Sequence, residues 1–216
     1  MTCVDEYFMD KALELSKKGI GFVNPNPIVG ALIVKDGDII GSGYHEAYGK
    51  AHAEINAFNS VKDNVEGATM YITLEPCSHY GKNAPCVNEI IRRKIKRVVI
   101  AMKDPNPLVS GKGIELLLKN NIDVKVGVLE EEAEKNNEIF IKYIKTKKPF
   151  CILKAGMSLD GKIATYSGES KWITSDESRK YSHKLRNKVS GILVGINTVL
   201  KDDPILNIRI EDGVYK

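Results

Sequence analysis

The sequence predicts an α/β fold, a sheet covered by helices on both faces. Helical and extended patterns alternate in the order α-β-β-α-β-α-β-α along the first part of the chain. Short apolar runs, of which residues 98–102 are the clearest, suit buried strands better than helices, and proline and glycine clusters punctuate the intervals. Strands joined through helices need cover on both faces of the sheet. At 216 residues the chain is long for one small domain and short for two full ones.

Residues 5–17 form the first helix, with Phe8, Ala12 and Leu15 on one face and Gly19 ending it. Asn24-Pro25-Asn26-Pro27 is a stiff loop leading into a hairpin, residues 28–34 and 39–43 about an Asp36-Gly37 turn. A helix begins at about His52, and a strand follows over 68–74. Next come a helix over 86–94 and the strand 98–102. Asp104-Pro105-Asn106-Pro107 interrupts the chain before a helix over 114–119 and a strand over 123–128. An acidic helix, 130–145, runs to Lys147-Lys148-Pro149, where the proline marks a boundary. The domains expected are therefore residues 1–146 and 147–216. Beyond the boundary the pattern gives a strand over 150–154, a loop over 157–170, a helix over 176–188 and an apolar strand over 191–195. A loop at Lys201-Asp202-Asp203-Pro204 then precedes a last strand over 206–210.

Composition narrows the function classes. The net charge is +4, and the first domain is close to charge balance, unlike the basic face of a nucleic-acid binder. The densest basic run, Arg92-Arg93-Lys94 with Lys96 and Arg97, falls at a helix end, where cations offset the carbonyl end of the dipole; a solvated helix end is the expectation. No apolar run spans a membrane and no signal peptide is expected, since the first eighteen residues are charged throughout. Four cysteines without a disulfide framework suit a reducing compartment, so the cytoplasm is the expected location.

His52-Ala53-Glu54, Pro76-Cys77 and Cys86 stand in the arrangement of a zinc deaminase, which removes an exocyclic amine from a nucleobase-like ring by hydrolysis. One imidazole and two thiolates hold Zn²⁺ while leaving a fourth position open for water. Glu54, two residues after a ligand, is placed to carry protons rather than to bind metal. Cys77, following Pro76, is expected to open a helix whose positive end favours thiolate. Alone, His-x-Glu is an ordinary surface pair and two cysteines are ordinary small buried residues. Together, before a helix and after a strand, they form a candidate site. Two competing readings are a nucleic-acid deaminase acting on tRNA adenosine and a non-catalytic zinc-stabilised interaction module. The long gap between cysteines and the second domain argue against the first; three ligands beside a carboxylate argue against the second.

Segments along nearly the whole chain resemble one family, the bifunctional deaminase/reductase of riboflavin biosynthesis. They are Asn26-Pro27-Ile28-Val29-Gly30, His52-Ala53-Glu54-Ile55-Asn56-Ala57, Leu74-Glu75-Pro76-Cys77-Ser78-His79-Tyr80-Gly81-Lys82, Asp104-Pro105-Asn106-Pro107, Ser158-Leu159-Asp160-Gly161-Lys162, Trp172-Ile173-Thr174 and Asp202-Asp203-Pro204. The resemblance implies a cytidine-deaminase-like three-layer α/β/α domain followed by the N-terminal part of a dihydrofolate-reductase-like α/β domain. The first would deaminate a diaminopyrimidinone ribosylamine phosphate, with Zn²⁺ on His52, Cys77 and Cys86 and with Glu54 as acid and base. Asn26, His45, His79 and Lys82 fall at substrate positions, and Lys82 would meet the phosphate as a point charge. In the second, Ser170, Arg186, Leu206 and Arg209 fall at substrate positions, and Gly156, Trp172, Thr198 and Asp202 at NADPH positions. Trp172 and Leu206 suit plain core packing equally well. Asn197 and Lys201 depart from the family pattern. The family's later strands and glycine-rich cofactor loop are not in the sequence, so an incomplete reductase domain without activity is expected. Another chain would cover its open edge, a homo-oligomer being one such arrangement. The partners expected are thus a small phosphorylated pyrimidine, with no nucleic acid and no membrane.

Overall fold

A computed structural model describes residues 4–79 and 84–209. The chain divides into two compact units, Met1–Phe150 and Cys151–Lys216.

The first unit is built on a five-stranded sheet. Asp36 and Gly37 both adopt positive φ, 53° and 90°, which a tight right-twisted hairpin requires. They join β1 (Gly30–Lys35) to β2 (Asp38–Tyr44). On the other side of β1 lies β3 (Thr69–Leu74), antiparallel, with Ala31 opposite Ile72. Next come β4 (Arg97–Met102) and β5 (Asp123–Val126), both parallel, so the order is β2-β1-β3-β4-β5. Parallel strands need crossovers, which α3 (Cys86–Arg92) and α4 (Lys112–Lys119) supply; α2 (Ala53–Ser60) joins β2 to β3, while α1 (Val4–Ser16) precedes the sheet and α5 (Glu130–Asn136) follows it.

Alternate residues of the strands feed two cores, as the period of two dictates. Ala31, Ile33, Met70, Ile72, Val98 and Ile100 face Phe58 of α2, Val87 and Ile90 of α3 and Leu117 of α4. Leu32, Val34, Tyr71, Val99 and Ala101 face Phe8, Met9, Ala12 and Leu13 of α1 and Ala133 of α5. The unit is therefore three layers, α/β/α, as the sequence implies. Contact on the first face is close: a Cβ added at Gly43 of β2 would overlap the α2 backbone at Ala53 and Ala57.

One buried carboxylate ties α1 to the sheet. Asp5 accepts from Arg97 at 2.8 and 3.0 Å, from Lys125 at 2.8 Å and from the Tyr71 hydroxyl at 3.0 Å. The basic run is thus divided. Arg92 and Arg93 pair with Glu89 inside and after α3, whereas Arg97 belongs to this network and not to a solvated helix end.

The acidic segment is two helices rather than one. It breaks at Asn137 (φ −111°) between α5 and α6 (Glu138–Thr146), because the Asn137 side chain turns inward to the Ile28 backbone. In the second unit α7 (Asp176–Lys188) lies where expected, capped by the Ser175 hydroxyl accepting from the Ser178 amide. A further helix, α8 (Ile196–Asp202), replaces the loop expected at Lys201 and Asp202. The expected strands over 150–154, 191–195 and the described part of 206–210 make no ladder, since a strand needs a neighbour and none pairs with them. Among the described residues no helix is long and apolar enough to cross a membrane.

Candidate metal centre and active site

The residues of the first motif meet where β3 ends and two helices begin. His52 is the residue preceding α2, in extended conformation (φ −73°, ψ 162°), so its ring stands at the helix mouth and Glu54 follows in the first turn. Cys77 comes off the end of β3 through Glu75 and Pro76. It does not open a helix; Cys86 does, with Pro85 ahead of it. The helix end still reaches Cys77, because the Cys86 amide donates to the Cys77 sulfur at 3.3 Å and the Val87 amide to the Cys77 carbonyl at 3.3 Å. Proline at 85 serves the helix start that proline at 76 was expected to serve.

His52 Nδ1 lies 3.3 Å from Cys86 Sγ and 3.6 Å from Cys77 Sγ, and the three donors all fall within 4.8 Å of one another. Tetrahedral zinc, with bonds of about 2.1 Å to nitrogen and 2.3 Å to sulfur, separates such a pair by about 3.6 Å. The donor set therefore fits that ion, and among the described residues it would supply three ligands of such a tetrahedron. Hydrogen bonding from Cys86 and then from His52 holds the Cys77 thiol well below its usual range, while the bond to Cys77 and burial push Cys86 up. His52 is raised chiefly by its bond to Cys77. Three donors this close compete for protons, a condition that a cation relieves.

Glu54 is buried and close enough to hydrogen-bond the Cys86 thiol. Burial, and then the Cys77 charge, push its carboxyl up to about 6. A group with that affinity both takes and gives a proton near neutral pH.

His45 and Asn26 stand on the neighbouring wall. His45 is buried, its ring 5.7 Å from that of His52, and its Nδ1 donates to the Ala51 carbonyl at 3.0 Å. Nε2 is then the acceptor, 3.2 Å from Asn26 Nδ2. Burial holds this imidazole below its usual value, which favours the neutral ring. His79 is exposed, and Lys82 lies outside the described residues.

Two groups emerge that the motif reading did not single out. Glu75, buried before Pro76, accepts the amides of Asp104, Gly111 and Gly113 at 3.2, 2.9 and 3.0 Å, so it fixes the metal-bearing turn to the start of α4. Asp104, raised chiefly by burial, lies within electrostatic range of Cys77 and His79. An acid at the end of an apolar strand was the only signal for either.

In the second unit Arg186 and Leu206 line one hollow with Gly191 and Ile192, and Arg186 and Arg209 both bond Asn207. Trp172 is exposed and stacks on Arg179, 4.3 Å from the ring centre. Thr198 and Asp202 share a face of α8, while Gly156 lies against Lys154 and Thr174, and Ser170 is exposed. No bond among the described residues joins Trp172 or Gly156 to the α8 pair.

The profile of the cytidine and deoxycytidylate deaminase zinc-binding region matches residues 2–102, and that of the RibD C-terminal domain matches 149–215. The riboflavin biosynthesis protein RibD of Aquifex aeolicus is 54% identical over 95% of this chain and 58% of its own length. That of Escherichia coli K12 is 47% identical over 95% of this chain and 56% of its own. The crystal structure of a diaminohydroxyphosphoribosylaminopyrimidine deaminase/5-amino-6-(5-phosphoribosylamino)uracil reductase from Thermotoga maritima superposes with a TM-score of 0.94 at 51% identity, covering 98% of this chain and 61% of that one. Acinetobacter baumannii RibD gives 0.90 at 44% identity, over 96% and 58%.

Proposed function

The chain is a homologue of the RibD riboflavin-biosynthesis proteins, spanning 58% of the length of the Aquifex relative, and on that premise we propose that it hydrolytically deaminates 2,5-diamino-6-(5-phosphoribosylamino)pyrimidin-4-one. The observation that carries this reading is the three-donor cluster with the buried acid Glu54 beside it. Zinc, when held by His52, Cys77 and Cys86, supplies the activation of water that hydrolysis at neutral pH needs.

The remaining work falls to side chains. Glu54 takes one proton from the attacking water and gives it to a ring nitrogen, then takes the proton of the added hydroxyl and gives it to the departing amine, so that the carbonyl forms as ammonia leaves. His45, with Nδ1 committed to Ala51, orients the Asn26 amide by accepting from Nδ2. Asn26 Oδ1 is thereby presented to accept from an amino group of the pyrimidine. Lys82 pairs with the phosphate, and His79 belongs with it to the substrate side. Three donors with an acid beside them favour catalysis over a structural zinc module, which closes its site with four. The second unit supports a coarser reading: Ser170, Arg186, Leu206 and Arg209 on the substrate side, and Gly156, Trp172, Thr198 and Asp202 on the NADPH side, belong to part of a reductase domain.

The test is ammonia release by zinc-loaded protein from the phosphorylated diaminopyrimidinone, with cytidine and adenosine-bearing tRNA as comparators. Turnover confined to either comparator would overturn the substrate assignment.

A further inference from the structure

Residues 28–30 connect Asn26 to β1, and four of their backbone groups are met by partners from elsewhere in the fold. The Val29 carbonyl accepts from the His45 amide at 2.9 Å, and the Gly30 amide donates to the Thr73 hydroxyl at 3.1 Å. Both groups of Ile28 are taken by one side chain. Its amide donates to Asn137 Oδ1 at 2.9 Å, and its carbonyl accepts from Asn137 Nδ2 at 3.1 Å.

Asn137 is 3% exposed and 109 positions away along the chain. It gives up a straight helix to make this contact, since the α5–α6 break falls on it. Only a side-chain amide of this length presents one donor and one acceptor side by side, the complement of a single residue's N–H and C=O. Aspartate cannot donate, alanine offers neither, and glutamine is a methylene too long.

Resting on the deaminase reading, we propose that Asn137 is a positioning residue for substrate binding. Through the Ile28 backbone it holds Asn26, and the contact of Asn26 with His45, at the substrate side of the metal centre. Without it the Ile28 amide and carbonyl lose their partners, and the two-residue lever to Asn26 is free to shift. Small displacements of a positioned group cost far more than their size suggests. The loss falls on a contact made in ground and transition states alike, hence on KM more than on kcat.

The experiment uses the full zinc-loaded chain with the phosphorylated diaminopyrimidinone, comparing Asn137→Ala and Asn137→Asp with Asp5→Asn; the Asp5 side chain bonds Arg97, Lys125 and Tyr71 rather than residues 24–30. Zinc content, Tm, KM and kcat are read for each. The expected result is unchanged zinc, a KM raised about tenfold in Asn137→Ala with kcat within about threefold of the parent, and a smaller KM rise in Asn137→Asp, which keeps the acceptor facing the Ile28 amide. Asp5→Asn should lower Tm and leave KM alone. A parental KM in folded Asn137→Ala, or an equal KM rise in Asp5→Asn at equal loss of Tm, would overturn the proposal. Should Asn137→Ala not fold, Asn137→Asp decides by the same comparison; failure of both to fold would make the role purely structural and overturn it too. An inactive parent protein would remove the deaminase reading, and this role with it.

Discussion

A carboxylic acid buried as completely as Glu54 has one use that an amide cannot imitate, the exchange of a proton. Glu54→Gln keeps the shape and the burial, so zinc should remain while ammonia release falls by about 10² to 10⁴. Metal analysis beside the activity assay separates these, and full activity with full zinc would take Glu54 out of the mechanism. The thiols answer a different question. In Cys77→Ser and Cys86→Ser the hydroxyl is a poor zinc ligand, and three donors offer no redundancy, so metal should be lost with activity. Either variant purified with one zinc per chain would remove that cysteine from the ligand set.

At the scale of elements, α1 is held by charge as well as by Phe8 and Met9. The Arg97 guanidinium, helped by Lys125 and Tyr71, holds the Asp5 carboxyl well below the usual carboxylate range. In the unfolded chain an aspartate protonates at about pH 4, so the network's contribution is complete above that value and is lost as pH falls toward the folded-state value. Asp5→Asn should therefore cost about 1–3 kcal/mol at neutral pH, and the gap from the parent should narrow when urea unfolding is repeated near pH 3.5. A gap of constant size would show that packing, not charge, is what the substitution disturbs. Elements such as α1, β3, β4 and α7 were legible in the sequence because their evidence is local: a repeat of apolar residues, a cap, a turn. His52, Glu54, Cys77 and Cys86 were legible because the chemistry dictates residue types. The break at Asn137 was not, since its cause is the backbone of Ile28, far away along the chain. The inward role of Arg97 was hidden for the same reason, its partner Asp5 lying on another element. The strands expected in the second unit failed on a related point, because extended apolar runs such as 191–195 become strands only beside a partner.

For the molecule as a whole, the two units differ in how much they bury. Among the described residues of the second unit Ile208 is the sole buried hydrophobic side chain, and Leu153, Leu159 and Leu193 are almost fully exposed. Hydride transfer needs cofactor and sugar held together away from water. Trp172, one of the NADPH-side candidates, is 73% exposed. Given the phosphorylated diaminopyrimidinone, this 216-residue chain should release ammonia, yet given the deaminated product it should leave NADPH absorbance unchanged. Steady NADPH oxidation above a no-protein control would show that the second unit is a working reductase as it stands.

The two bonds from α3 back to Cys77 change what the distance between cysteines in a sequence can mean. With the Cys86 amide on the Cys77 sulfur and the Val87 amide on its carbonyl, both ends of the segment 78–85 are pinned whatever lies between them. Closing a longer loop between fixed ends costs little, about 0.6 kcal/mol for each doubling. Segment length is thus nearly decoupled from the geometry of the donors. The number of residues between two such cysteines is therefore a weaker guide to the site than the residue types that flank them.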